Sequence, residues 1–348
     1  MKRALVIGCS GQASSYLIEL LLSKNYLVFA TYRRVSTPNL WRIQHLLQSA
    51  NLRLLPADLL DYESIENAVT EAQPDEVYNC AAQSDVAMSF KMAEFTRATI
   101  KQGTQNILDA CEEQEKQPRI LLFGSSEMFG NSPPPQNEKT LFRPVSPYAM
   151  AKVDAFRMGQ AWRRDGVWIA QGIFFNYESP RRGENFVTRK ITRALGNMAF
   201  LAQNTCSLGN LDAKRDWGHC RDSMEAAWLM LQHNDPDDYV IATGETRTVA
   251  EFLEESCEVV SRIEAERKGE NWRALFTQNK LRFTIDKSLF RPAEVHCLQG
   301  DASKAREKLG WKPRTTFSEL VSEMVRADYE LARGEALLKS ENLRSETQ

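Results

Sequence analysis

No two of the seven cysteines stand at Cys-x-x-Cys spacing; Cys9, Cys80, Cys111, Cys206, Cys220, Cys257 and Cys297 are scattered singly. An odd, dispersed set does not frame a disulfide scaffold, and it predicts reduced thiols in a cytoplasmic protein. Histidine is scarce as well. His45, His219, His233 and His296 are isolated, so no metal site is expected. Long apolar runs are missing, which argues against a membrane span. The start, Met1–Gly8, has a short apolar run that is cut off at once by polar and glycine residues. It reads as a buried strand and not as a signal peptide. A net charge of -2 gives no reason to expect nucleic acid or an anionic membrane as partner. There are no internal repeats. What remains, 43% hydrophobic and 26% charged over 348 residues, is an ordinary globular composition. It suffices for one large or two intimately packed domains.

The first half alternates short apolar runs with longer amphipathic stretches. Ala4–Ile7, Tyr26–Thr31, Leu52–Leu55, Glu76–Cys80 and Ile120–Phe123 read as parallel strands, and Trp168–Phe174 as a sixth. Gly11–Ser23, Ser64–Glu71 and Thr99–Glu113 read as the helices between them. This is the pattern of an α/β protein with a doubly wound parallel sheet, the Rossmann arrangement. After Asn176 the pattern loosens, but Asp238–Gly244 reads as one more strand returning to the sheet. The expected organisation is a cofactor domain over 1–175 with the strand near 238–244 added. A smaller, interleaved substrate-binding lobe follows over 176–332, and a polar, frayed tail over 333–348. The Pro-rich stretch Asn131–Pro147 is long enough to suggest a lid or binding segment.

Gly8-Cys9-Ser10-Gly11-Gln12-Ala13-Ser14 follows the first strand and opens the first helix. Glycines there allow a tight turn and close approach of a pyrophosphate. Ser14 stands where a third glycine is usual, and any strand-to-helix turn could look similar. The next strand is more telling. An NAD site places an acid roughly 20 residues on, yet no acid stands between Leu20 and Ala57. Arg33 and Arg34 end that strand instead, with Arg42 beyond. Guanidinium groups bind a 2′-phosphate that a carboxylate would repel, so the pattern predicts NADP. The bland alternative is a solvated basic loop.

Tyr148 and Lys152 stand four apart in Ser146-Pro147-Tyr148-Ala149-Met150-Ala151-Lys152, downstream of Ser125 and Glu127. On a helix these two share a face, and an ammonium beside the phenol is expected to lower its pKa. Tyr148 then serves as a base toward a sugar hydroxyl, with Ser125 holding the same oxygen and Lys152 the cofactor ribose. Those three suffice for an alcohol dehydrogenation. Glu127 is additional. It could remove the acidic proton beside a new ketone and protonate a departing β-hydroxyl, after which the hydride returns. The net result would be a dehydration that consumes no cofactor. Chance spacing and a solvent-facing carboxylate are the plain readings of the same residues.

The chain resembles the GDP-mannose 4,6-dehydratases, extended short-chain dehydrogenases/reductases, from Gly8 to Pro313. The likeness is carried by Tyr78-Asn79-Cys80-Ala81-Ala82-Gln83-Ser84, by Ser125-Ser126-Glu127 and by the Tyr148–Lys152 block. It continues in the run from Asn176-Tyr177-Glu178-Ser179-Pro180-Arg181-Arg182-Gly183 to Lys190. Arg215-Asp216-Trp217-Gly218-His219, Phe290-Arg291-Pro292-Ala293-Glu294-Val295 and Lys308–Pro313 complete it. The resemblance implies Ser125, Glu127, Tyr148 and Lys152 as catalysts and NADP as a recycled cofactor. It implies that Gly8, Cys9, Ser10, Gly11, Gln12, Arg33, Arg34, Asp58, Leu59, Cys80, Ala81, Ala82, Gln83, Tyr177 and Arg182 join the catalytic pair around NADP. It gives Ser84, Ser126, Asn176, Val187, Lys190, Arg215, Arg291 and Glu294 to a GDP-sugar. It also implies a homotetramer or homodimer, in which the segment Arg33–Arg42 reaches a neighbour's cofactor. Ala13, Ser14, Asp85, Phe95 and Tyr177 depart from the family's Asp, Gly, His, Tyr and His.

The leading expectation is an NADP-dependent hydro-lyase that converts GDP-mannose to GDP-4-keto-6-deoxymannose. The same chemistry on another GDP-sugar, such as a GDP-heptose, is the near alternative. A non-catalytic NADP-binding sensor or scaffold is the alternative of a different class.

Overall fold

The computed structural model describes residues 1–37 and 39–345. Seven parallel strands form one sheet. They are β1 (Arg3–Ile7), β2 (Leu27–Tyr32), β3 (Leu52–Pro56), β4 (Glu76–Asn79), β5 (Arg119–Phe123), β6 (Ile169–Phe174) and the strand Asp238–Ile241. Parallel strands are covered by helices on both faces, which is why they read as continuous apolar runs. Leu5, Val6, Val77, Tyr78, Ile120 and Leu121 are fully buried.

The sheet order is Asp238–Ile241, β6, β5, β4, β1, β2, β3. The chain builds outward from β1 in one direction, then returns and builds outward from β4 in the other. The crevice lies at the carboxyl ends where that order reverses, between β1 and β4. Val6 pairs with Ala30 on one side and Tyr78 on the other, so both strands end level at this crevice.

Helix α1 (Gln12–Ser23) starts directly after the glycine turn, and α2 (Tyr62–Ala72) follows β3. The helix Pro147–Arg164 is started by Ser146, whose hydroxyl accepts from Ala149 N at 3.1 Å, with Pro147 at its first position.

A second core is built by the helices Val187–Phe200, Val249–Lys268 and Phe317–Ser345, around Ile191, Leu195, Phe252, Leu253, Val321 and Met324. The buried pair Arg189–Asp328, at 2.8 Å, pins the first of these helices to the last. Leu298, Ala302, Ala305 and Trp311 return to the core on the sheet side.

Two expectations change here. The stretch from Arg333 is not frayed, because the helix Phe317–Ser345 continues through it; Glu346, Thr347 and Gln348 lie outside the described residues. Nor is Asn131–Pro147 a lid. Gln136 N donates to Gln299 O at 2.8 Å, and Glu138 Oε1 accepts from Val240 N at 2.7 Å. These bonds tie the loop to the outer strand and away from the crevice. No helix among the described residues is long and apolar enough to cross a membrane, and no cluster of metal-ligating side chains occurs among them. All seven cysteines are free thiols.

Candidate active site

A cavity of about 750 Å³ opens at the carboxyl ends of the strands. At one end it is walled by the turn after β1. Gly8 has φ +89, and a Cβ there would stand 2.8 Å from Ala81 Cβ. Only glycine fits that backbone and leaves the turn open. Gly11 precedes α1 and supplies no side-chain cap, so the first backbone N–H groups of the helix face the cavity. Ser14 is fully buried and donates to Gly8 O at 2.6 Å, which keeps the small-residue packing of the turn. Gln12 ties this turn to the second lobe: its Nε2 donates to Tyr177 O at 3.0 Å, and its Oε1 accepts from Ser179 at 2.6 Å.

An open helix N-terminus, a glycine turn pressed against Ala81 and a basic residue, Arg33, on the same wall fit a phosphorylated dinucleotide. Ser10, Asp58, Leu59, Cys80, Ala82, Gln83, Tyr177 and Arg182 line the same cavity. Three expected cofactor contacts do not. Cys9 is turned into the core, where burial pushes its thiol up to about 12. Arg34 lies with Arg33 along an adjoining hollow of about 490 Å³. Lys152 faces a separate small cavity behind the site. Arg42 does not reach outward but is taken up by its own chain. It donates to Ser10 O at 3.0 Å and to Arg181 O at 2.7 Å. Burial and the nearby charges of Arg189 and Arg182 hold it down to about 10.

The catalytic candidates meet at the middle of the cavity. Ser125 ends the turn after β5, and its hydroxyl accepts from Glu127 N at 3.2 Å. That bond starts the short turn Ser126–Met128 and aims it along the cavity wall. Tyr148 is 7% exposed, and its phenol lies near the Ser125 hydroxyl. Glu127 is 8% exposed and lies 3.6 Å from Arg291. Ser125, Glu127 and Tyr148 thus share one wall, but the expected Tyr–Lys electrostatics do not appear. Burial pushes the Tyr148 phenol up to about 12; the nearby Ser125 hydroxyl opposes this, and the Glu127 charge adds to it. Burial also holds the Lys152 ammonium down to about 8, and it donates to Phe123 O at 2.6 Å. Spacing put the two side chains on one helix face. It could not show that the lysine head would turn to a carbonyl of β5.

Ser84, Ser126, Asn176, Val187, Lys190, Arg215, Arg291 and Glu294 also stand on the cavity wall. Arg215 donates to Glu294 at 2.9 Å and to Val295 O at 2.8 Å. Its neighbour Asp216 accepts from Thr243 N and Gly244 N, which fixes the strand that carries Arg215. Ala13, Ser14, Asp85, Phe95 and Tyr177 line the cavity as well. Residue reasoning missed Asn185, which donates to Asp85 at 2.7 Å, and Trp217, Asn210 and Leu289 on the same wall. Trp217 sat inside a quoted motif. Asn185 lies within the Asn176–Lys190 run, and Asn210 and Leu289 lie in a loop and a short helical turn outside every motif.

The family described as GDP-mannose 4,6 dehydratase matches residues 5–324. The chain is 46% identical to GDP-mannose 4,6 dehydratase 2 of Arabidopsis thaliana, over 97% of this chain and 89% of that protein. It is 45% identical to GDP-mannose 4,6 dehydratase of Homo sapiens, over 95% of this chain and 92% of that protein. Among solved structures, UDP-glucuronic acid 4-epimerase from Bacillus cereus superposes with a TM-score of 0.79 at 20% identity. That match covers 95% of this chain and 100% of the other, and it shows a shared fold. With a family match over nearly its whole length and relatives this similar in both kingdoms, the chain belongs to the GDP-mannose 4,6 dehydratase family.

Proposed function

We propose that the protein dehydrates a GDP-sugar, most simply GDP-mannose to GDP-4-keto-6-deoxymannose, with NADP as a recycled cofactor. The observation that carries this reading is Glu127. A plain alcohol dehydrogenase has no use for a carboxylate beside Ser125 and Tyr148, yet Glu127 is buried on the same wall. NADP, when bound, supplies a hydride acceptor and later returns that hydride. The chain's own residues do the rest. Ser125 and Tyr148 grip the C4 hydroxyl, and Tyr148 takes its proton. A phenol held near 12 by burial needs a cation brought beside it before it can act as a base at neutral pH. Glu127 removes the C5 proton and hands it to the departing C6 hydroxyl, which leaves as water; once the hydride is back at C6, C5 takes up a proton equivalent to the one that Tyr148 took from the C4 hydroxyl. Lys190, Arg215 and Arg291 offer cations to the diphosphate, and Glu294 offers an acceptor to nucleoside hydroxyls.

NADP in preference to NAD rests on Arg33, which lines the cavity, and on Arg34 beside it. The lobes are read as 1–175 with the strand Asp238–Ile241 for the cofactor and 176–332 for the sugar nucleotide. Seven free thiols suit the cytoplasm, and fractionation of cells would check that placement. Purified protein incubated with a panel of GDP-sugars should yield one product lighter by a water, read by mass spectrometry. The same incubation with NAD in place of NADP should turn over far more slowly. No water loss from any GDP-sugar would defeat the activity, and equal rates with NAD would defeat the cofactor assignment.

Met88 and Met150 are exposed on helices packed side by side, and Met92 is exposed at the end of the first of them. Exposed apolar side chains of this kind suit burial against a second copy of the chain. Light scattering at micromolar concentration should read a dimer or tetramer; a monomer would contradict this.

A further inference from the structure

Behind the catalytic wall, the sheet carries polar groups where its neighbours are apolar. Asn79, Leu122 and Gln171 stand in one register across β4, β5 and β6. Alternation puts their side chains on one face, the face covered by the helix Pro147–Arg164. Gln171 shows this directly, because its Nε2 donates to Phe156 O on that helix at 3.1 Å and to Asp238 Oδ1 at 3.2 Å. Those bonds fix which end of the amide is oxygen. Asn79 and Gln171 are 8% and 1% exposed, and the carbonyl oxygen of each is buried without a hydrogen-bond partner. Buried polar atoms in folded proteins are rarely left so.

The cavity that Lys152, Asn79 and Gln171 line together with Thr104 measures about 20 Å³. One water needs roughly 10–15 Å³ and two to four polar partners. An ammonium has three donors, and Lys152 gives one to Phe123 O. The partners therefore match a water in number and in sign. We propose that this cavity is a site for one ordered water that accepts from the Lys152 ammonium and donates to the Asn79 and Gln171 oxygens. Asn79 is then a positioning residue for Lys152. The water turns the lysine head so that a further N–H points to the cofactor side, and it supports the charged form against burial. The functional part rests on Lys152 serving the cofactor ribose, the role expected for it from the sequence, although its ammonium here faces the rear cavity.

The titratable groups facing Lys152 are the Cys80 thiol beyond β4 and Tyr148 one turn earlier on its own helix. Burial pushes both up to about 12, so both stay neutral where the lysine titrates. The ammonium is lost as pH rises, and a variant that withdraws an acceptor should move that loss to lower pH.

The first test is a high-resolution crystal structure of the full-length protein with NADP. Density for one water within hydrogen-bond distance of Lys152 Nζ and Asn79 Oδ1 is expected; a dry or differently filled cavity overturns the site. The second is Asn79→Leu, which keeps the volume and removes the oxygen. Its kcat should fall about tenfold with KM for the sugar nucleotide nearly unchanged, and the alkaline limb of its pH profile should move to lower pH. Asn79→Asp should move that limb the other way, because a carboxylate supports the ammonium. A purely structural Asn79 would lower kcat equally at all pH and leave the limb in place, and that result overturns the positioning role. Lys152→Met with wild-type turnover would instead defeat the role given to Lys152, whether or not the water is present.

Discussion

Tyr148→Phe is expected to abolish both oxidation and dehydration, with a fall in turnover of roughly 10²–10⁴. The substitution removes one oxygen from a side chain that is 7% exposed and lies near Ser125. The ring stays, so the packing of Tyr148 with Val86, Ile100, Ala151 and Ala155 is kept. Affinity for the GDP-sugar should change little, since Lys190, Arg215 and Arg291 lie elsewhere on the cavity wall. The useful control is Ser125→Ala. It removes the hydroxyl that favours the ionised phenol, so it should slow the same step while leaving Tyr148 able to act. Turnover by Tyr148→Phe at even a tenth of the wild-type rate would show that another group takes the C4 proton. The measurement is the initial rate of water loss, followed by mass spectrometry with NADP supplied.

How much of this was legible in the residues depends on the distance over which each feature is determined. The strands were readable because each is a short apolar run whose burial on two faces leaves a local mark, as in Ala4–Ile7 and Ile120–Phe123. Tyr148 and Lys152 on one buried helix face followed from a four-residue spacing and the Ser146–Pro147 start. Ser125 and Glu127 were placed by the end of a strand. The rest was not local. The turn of Lys152 toward Phe123 O joins residues 29 apart, and the Arg42 bonds to Ser10 and Arg181 join residues 32 and 139 apart. The Asn131–Pro147 loop looked like a lid because nothing in its own composition marks Gln299 or Val240 as its anchors. The C-terminal stretch looked frayed because none of its described residues from Arg333 on is buried; its helix continues from an earlier part in which Val321, Val325, Tyr329 and Ala332 pack inward. The direction of the Tyr148 shift failed for the same reason. Spacing shows a lysine nearby, while burial of the phenol belongs to the whole fold.

Glu127→Gln separates the two halves of the proposed reaction. The amide keeps the shape of the side chain and its place in the turn started by Ser125, whose hydroxyl bonds only to the backbone of residue 127. Tyr148, Ser125 and Lys152 are untouched, so oxidation at C4 should still occur. A carboxamide cannot take the C5 proton or protonate the departing hydroxyl, so the cycle should stall at the ketone. Reduced cofactor should then accumulate on the enzyme, visible as near-ultraviolet absorbance in a single turnover. Overall water loss should fall roughly 10²–10⁴-fold. Arg291 stands 3.6 Å from Glu127, so the substitution also leaves that guanidinium without its anionic neighbour. Arg291→Lys, which keeps the charge, is the control for that effect and should not trap reduced cofactor. If Glu127→Gln loses water at the wild-type rate, the carboxylate is not the elimination base. If it turns over fully without accumulating reduced cofactor, oxidation and elimination are not separated by this residue. The buried carboxylate would then be a structural cap on the Arg291 loop, and the chemistry would have to be reassigned to the Tyr148 side of the cavity.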